Sequence, residues 1–116
     1  MELLEILKAA ADCQASDIFI ISGAEISCKT NGKLIKIDDQ MLSTARTKVL
    51  VHEIYKLGGF GFDAESMPDK EMDFSISVAG LGRFRANIYK QRGSYAAVLR
   101  YVPFVLPDAK TLGIPE

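Results

Sequence analysis

Residues 71–102 read EMDFSISVAGLGRFRANIYKQRGSYAAVLRYV, and the period of their apolar side chains decides the kind of fold the chain adopts. Phe74, Ile76 and Val78 alternate with Asp73, Ser75 and Ser77, and Phe84, Ala86 and Ile88 alternate with Arg83, Arg85, Asn87 and Tyr89. A period of two puts alternate side chains on opposite faces of an extended strand. Gly80 and Gly82 bracket one tight turn, residues 91–94 supply another, and residues 95–102 form a third strand. The stretch therefore predicts a three-stranded meander.

Working outward, Asn31-Gly32 lies between alternating segments at 26–30 and 33–37, which is the signature of a hairpin closed by a type I′ turn. Ile18, Phe19, Ile20 and Ile21 make a continuous apolar run, expected of a central strand covered on both faces. Residues 38–42 read as a polar connection. Ser43 or Thr44 caps a helix that runs to about Leu57, with Val49, Leu50, Ile54 and Leu57 at helical spacing and Gly58-Gly59 as its stop. Leu3, Leu4, Ile6, Leu7, Ala10 and Ala11 mark an amphipathic helix over residues 2–12. Helix, strand, hairpin, helix and meander predict an α+β domain with one mostly antiparallel sheet and helices packed on one face.

Length and composition set the outer limits. A chain of 116 residues is one ordinary domain, and 48% hydrophobic with 25% charged residues excludes disordered and membrane-spanning classes. No apolar run reaches the length of a membrane helix, and MELLEILKAA lacks a basic start and a small-residue cleavage site, so a cytoplasmic protein is expected. Cys13 and Cys28 are not in a CxxC spacing and one His cannot complete a zinc set with them; two buried, reduced thiols and no metal are expected. Charge is unevenly divided. Residues 1–73 hold 8 basic and 13 acidic groups, whereas residues 74–107 hold 5 basic groups and no acid, in a chain of net charge -1.

Those basic groups include Arg83, Arg85, Arg92 and Arg100. Arg83 and Arg85 share a strand face with Asn87 and Tyr89; Arg92 lies at the intervening turn, and whether Arg100 joins the face depends on strand register. Three readings follow from the residues. The arginines pair with acids of the first 73 residues or simply solvate a sheet face; or they recognise a phosphate or another oxyanion through bidentate donors; or, with Tyr89, Tyr95 and Tyr101, they bind single-stranded nucleic acid. The acidic remainder of the chain and the absence of an RNP-type aromatic pattern disfavour the last. Glu71 and Asp73 share a face without a His or metal set, which suits a hairpin or interface role better than acid–base chemistry. His52 reads as an edge residue of its helix, and Gly58-Gly59-Phe60-Gly61 has no Walker lysine, so it reads as a helix stop rather than a phosphate loop.

Taken in order, the motifs resemble a known family. Ala15-Ser16-Asp17-Ile18-Phe19-Ile20-Ile21-Ser22-Gly23, Asn31-Gly32, Glu71-Met72-Asp73-Phe74-Ser75, Gly82-Arg83-Phe84-Arg85-Ala86-Asn87, Gln91-Arg92-Gly93, Arg100-Tyr101-Val102-Pro103 and Leu112-Gly113-Ile114-Pro115 are similar to the N-terminal segment of the PilT-type retraction ATPases of type IV pili, within the wider secretion ATPase family. The family's usual His in DLHL is Phe19 here, and its usual Arg before the hairpin turn is replaced near Cys28-Lys29-Thr30.

The resemblance implies a PAS-like N-terminal domain over residues 1–102, and over residues 103–116 a linker toward a RecA-type motor domain absent from this chain. It implies ATP and Mg in the full-length protein and no cofactor for the isolated domain. Arg83, Arg85, Arg92 and Arg100 are the implied contacts to nucleotide phosphate, as arginine fingers, and Asp73, Asn87 and Gln91 the implied supporting or interface residues. No complete catalytic site lies in this chain. The implied partners are its own motor domain, the other subunits of a homo-hexamer and the inner-membrane platform protein of the pilus, with no nucleic acid and no insertion into the membrane. The implied location is the cytoplasm, at the inner face of the cell membrane. A native start at Met1 would favour the retraction branch over assembly and type II secretion ATPases. The alternatives are a PAS-like ligand sensor and a protein-interaction module of an assembly or type II secretion ATPase.

Overall fold

The computed structural model describes residues 2–103. Helix α1 (Leu3–Asp12) leads into β1 (Asp17–Ile21), β2 (Glu25–Thr30) and β3 (Lys33–Met41); helix α2 (Thr44–Leu57) follows, then β4 (Met72–Val78), β5 (Gly82–Gln91) and β6 (Ser94–Pro103). The strands form one six-stranded antiparallel sheet in the order β3-β2-β1-β6-β5-β4. Both helices pack on the same side. The architecture is α+β and PAS-like, as the sequence pattern and the resemblance imply.

Apolar spacing explains which sides are buried. Leu3, Ile6, Leu7 and Ala10 of α1 and Leu50, Val51, Ile54 and Tyr55 of α2 meet Ile18, Ile20, Cys28, Ile76, Phe84, Ala86, Ile88, Ala97 and Leu99 of the sheet in one core. Burial of these side chains, at about 25 cal/mol per Å² of apolar area, is the main force holding helices to sheet. Local signals fix the helix ends. The Glu5 carboxylate accepts from the Glu2 N–H at 2.8 Å, and Ser43 Oγ accepts from the Arg46 N–H at 3.0 Å. At the other end of α2 the two glycines have separate jobs: Gly59 takes φ 88°, whereas a Cβ on Gly58 would lie 2.7 Å from the Phe74 ring.

The Asn31-Gly32 hairpin forms as expected, with both residues at positive φ and Thr30 opposite Lys33. A second turn of the same kind joins β5 to β6, with Arg92 at φ 54° and Gly93 at 79°.

Three sequence expectations need correction. Strand β1 is central but is covered by helices on one side only; Asp17, Phe19 and Ile21 on the other side are half-buried. The run of four apolar residues hid that asymmetry because Phe19 and Ile21 spread over the open face. Residues 38–41 belong to β3 rather than to a connection: Met41 returns to pair with Glu25 across a bulge that separates it from the Ser27–Lys36 pairing. Cys13 is exposed at the end of α1, and Cys28 alone is buried. Residues 104–116, which hold the rest of the expected linker and the last motif of the resemblance, lie outside the described residues.

Candidate functional site on the helix-free face of the sheet

Strand β5 turns Phe84, Ala86 and Ile88 into the core and leaves Arg83, Arg85 and Asn87 on the opposite face. The register of β6 settles where Arg100 goes. Arg85 stands directly opposite Arg100, and Arg100 in turn stands opposite Asp17 of β1. Two guanidinium groups side by side on neighbouring strands repel one another, and the structure flanks them with carboxylates. Arg85 Nε lies 3.1 Å from Asp73 Oδ1, and Arg100 Nε lies 3.6 Å from Asp17 Oδ1. Across the face the charges therefore run minus, plus, plus, minus. Asn87 Nδ2 donates to Glu71 Oε2 at 2.8 Å, and Ser16 Oγ donates to Asp17 Oδ2 at 2.8 Å. These groups, Ser16 excepted, and Val98 line a shallow groove of about 290 Å³.

The pairs are exposed. The Arg85 and Arg100 side chains are 67% and 72% accessible, so each ion pair contributes on the order of 0–1 kcal/mol and exchanges readily for a stronger anion. Guanidinium groups keep their charge at any working pH and present planar, bidentate donors that fit phosphate oxygens.

Among the four arginines expected at the site, Arg83 lies two pairs further along, between Ser77 and Val102, and has no ion pair among the described residues. Arg92 is elsewhere. It sits on the β5–β6 turn, seven residues along the strand from Arg85 and so roughly 20 Å away. There it shares a cavity of about 260 Å³ with Gln91, Ser22 and Tyr95. The structure thus gathers Arg83, Arg85, Arg100, Asp73 and Asn87 and leaves Arg92 and Gln91 out. Asp17 joins the site although the sequence offered no reason to pair it with Arg100; only the adjacency of the first and last strands does.

The remaining candidates have structural partners. Tyr101 donates to the Leu81 carbonyl at 2.7 Å, with its ring 5.0 Å from that of Phe84, and Tyr95 reaches the Pro68 carbonyl at 3.5 Å. Both tyrosines are occupied with packing, not splayed as a stacking platform. Lys90 pairs with Asp69 at 2.8 Å, and that hydrogen bond raises its pKa. His52 Nε2 donates to the Phe62 carbonyl at 2.8 Å, tying α2 to the loop before β4. Among the described residues no group of His, Cys, Asp and Glu has the arrangement of a metal site, and no helix is long and apolar enough to cross a membrane.

No family model matches the chain. It is 31% identical over its whole length to the type IV pilus ATPase PilU of Pseudomonas aeruginosa, and 27% identical to the type IV pilus retraction ATPase PilT of the same organism. The chain spans only 30% and 33% of those relatives. Among solved structures, the pilus retraction motor PilT with bound ADP superposes on the entire chain with a TM-score of 0.73 at 34% identity, over 33% of the motor. The Legionella pneumophila ATPase DotB shares the fold, with a TM-score of 0.71 over 97% of this chain and 33% of DotB, at 24% identity.

Proposed function

From a chain homologous over its whole length to the N-terminal region of the PilT-like pilus ATPases, we propose the following reading. Residues 1–102 are the PAS-like N-terminal domain of a motor that retracts type IV pili, and residues 103–116 are its linker to a RecA-type domain. The domain does not hydrolyse ATP by itself. It supplies arginines to a nucleotide held by the motor domain of its own or a neighbouring subunit in a hexamer. ATP and Mg belong to that motor domain, whose glycine loop and metal ligands lie outside this chain. The assembled machine works in the cytoplasm against the platform protein at the inner face of the membrane.

One observation carries this reading: Arg85 and Arg100 are exposed register partners on a face free of helices, each held by a single carboxylate, Asp73 and the half-buried Asp17. A triphosphate carries several negative charges and multiple acceptors, so it displaces Asp73 and Asp17 at little cost. Arg85 and Arg100 then stabilise charge that develops on the transferred phosphoryl group, with Arg83 and Asn87 alongside. Where such a finger is decisive it contributes on the order of 10³–10⁵ in rate. Arg92, roughly 20 Å along the strand, contacts a different part of the assembly.

The test is steady-state ATP hydrolysis by the full-length protein carrying Arg83→Ala, Arg85→Ala, Arg92→Ala or Arg100→Ala, with subunit number checked by light scattering. Turnover falls by at least about a hundredfold in intact hexamers of the Arg85 and Arg100 variants and stays near wild type for Arg92→Ala. Unchanged turnover for Arg85→Ala and Arg100→Ala refutes the phosphate contact.

A further inference from the structure

The sheet has two open edges, and the chain treats them differently. Strand β3 carries Lys33, Lys36, Asp38 and Asp39 and is interrupted by a bulge, devices that discourage edge-to-edge pairing. Strand β4 has no bulge and a single charged residue, Asp73. Its seven residues, MDFSISV, pair with β5 without a break from Met72–Ile88 to Val78–Gly82, and they include no Lys and no Pro. A regular, weakly charged edge with free backbone donors and acceptors is a template for another strand.

We propose that β4 is the docking edge for a second copy of this chain, joined antiparallel about a two-fold axis at Ser75. The sequence of the strand is self-complementary in that register. On the helix side Phe74 meets Ile76 of the second copy and Met72 meets its Val78, so apolar residues face apolar residues. On the open side Ser75 meets Ser75, and Asp73 meets Ser77. All three open-side residues of β4 are small enough to let two sheets continue flat into one.

Charge selects a copy of this chain over an unrelated strand. Ser77 stands opposite Arg83 of β5, which has no ion pair among the described residues. In the twofold pairing the second copy's Asp73, one oxygen of which pairs with its own Arg85, lies on the far side of Ser77, two strand spacings or about 10 Å from Arg83 at the backbone. An extended arginine spans that gap on the same face. The contact occurs twice by symmetry, placing four opposite charges across the join. Seven residues of strand pairing form a small interface, so the association is weak, in the range of tens to hundreds of micromolar. It shares Arg83 and Asp73 with the phosphate-contact reading, but it is read out by the mass of the chain rather than by ATP turnover, so the two fail separately.

The test uses the 116-residue chain. Sedimentation equilibrium from about 10 μM to about 1 mM shows wild type passing from monomer to dimer, while Ser75→Lys, which sets two ammonium groups face to face, stays monomeric with an unchanged circular dichroism spectrum. In a Cys13→Ser background, Ser75→Cys forms an interchain disulfide under mild oxidation on the order of tenfold faster than Ser77→Cys, because only the residue on the axis meets its own copy within disulfide reach. A wild-type chain that remains monomeric at the highest concentration overturns the proposal. So does a dimer insensitive to Ser75→Lys, or equal cross-linking by the two cysteine variants.

Discussion

Tyr55 offers a prediction whose size can be worked from its surroundings. It is fully buried at the end of α2, 5.3 Å from the rings of Phe62 and Phe74 and 5.7 Å from Phe60, and its hydroxyl has no hydrogen-bond partner among the described residues. Burial first, and the nearby Tyr95 second, push its pKa from 10 up to about 12. The neutral phenol is the protonated form, so in this interval the folded protein keeps a proton that the unfolded chain has released. The stabilisation is complete below pH 10 and is lost as the pH rises toward 12. Two pKa units correspond to about 2.7 kcal/mol, of which about 1.4 kcal/mol is gone at pH 11. Urea unfolding followed by circular dichroism, suited to a chain without tryptophan, gives the stability of wild type and Tyr55→Phe from pH 8 to 11.5. At pH 8 the phenylalanine variant is already the more stable by about 1–3 kcal/mol, because it removes a hydroxyl buried without a hydrogen bond. By pH 11 the phenylalanine variant is the more stable by an additional 1 kcal/mol or so. Parallel decline of the two proteins across that range refutes the reasoning.

Other positions give sharper contrasts. Gly58→Ala forces a methyl group into the Phe74 ring at 2.7 Å and lowers stability by about 1–3 kcal/mol; Gly58→Ala combined with Phe74→Leu recovers part of that loss in the same urea assay. A maleimide titration with mass detection labels exposed Cys13 in the native chain and spares Cys28, which is buried and whose pKa is raised by that burial. Labelling of both thiols at equal rates contradicts the placement of Cys28 in the core.

Legibility in the sequence followed the range of the interactions. Asn31-Gly32 and Ser43 announce their structures because two to four residues contain the whole cause, and the alternation in β4 and β5 announces a face because period two survives any register. What depends on register was not readable. Arg100 shares parity with Val98 and Val102 within its own strand, and nothing local says that Arg85 is its neighbour or that Asp17 lies beyond it. The same gap left Arg92 grouped with arginines from which the β5–β6 turn separates it. Strand β3 was cut short at residue 38 because Asp38 and Asp39 look like a turn; they are tolerated in a strand whose outer edge faces solvent. Acid-free residues 74–107 leave their arginines to pair with acids of the first 73 residues, and the antiparallel sheet brings two such acids alongside, Asp73 and Asp17.

The strand that ends the described chain is also one of the two at the middle of the sheet. Strand β6 is bonded along its length to β5 and, over residues 96–100, to β1, and Tyr101 donates its N–H to the Ser16 carbonyl at 3.0 Å. A tug on the chain beyond Pro103 therefore acts parallel to β6 and loads both ladders in shear, where many hydrogen bonds share the force, instead of peeling them open one at a time. Under such a load the arginine face would move with the strand that takes the strain, because Arg100 lies on β6 and Arg85 on the strand bonded to it.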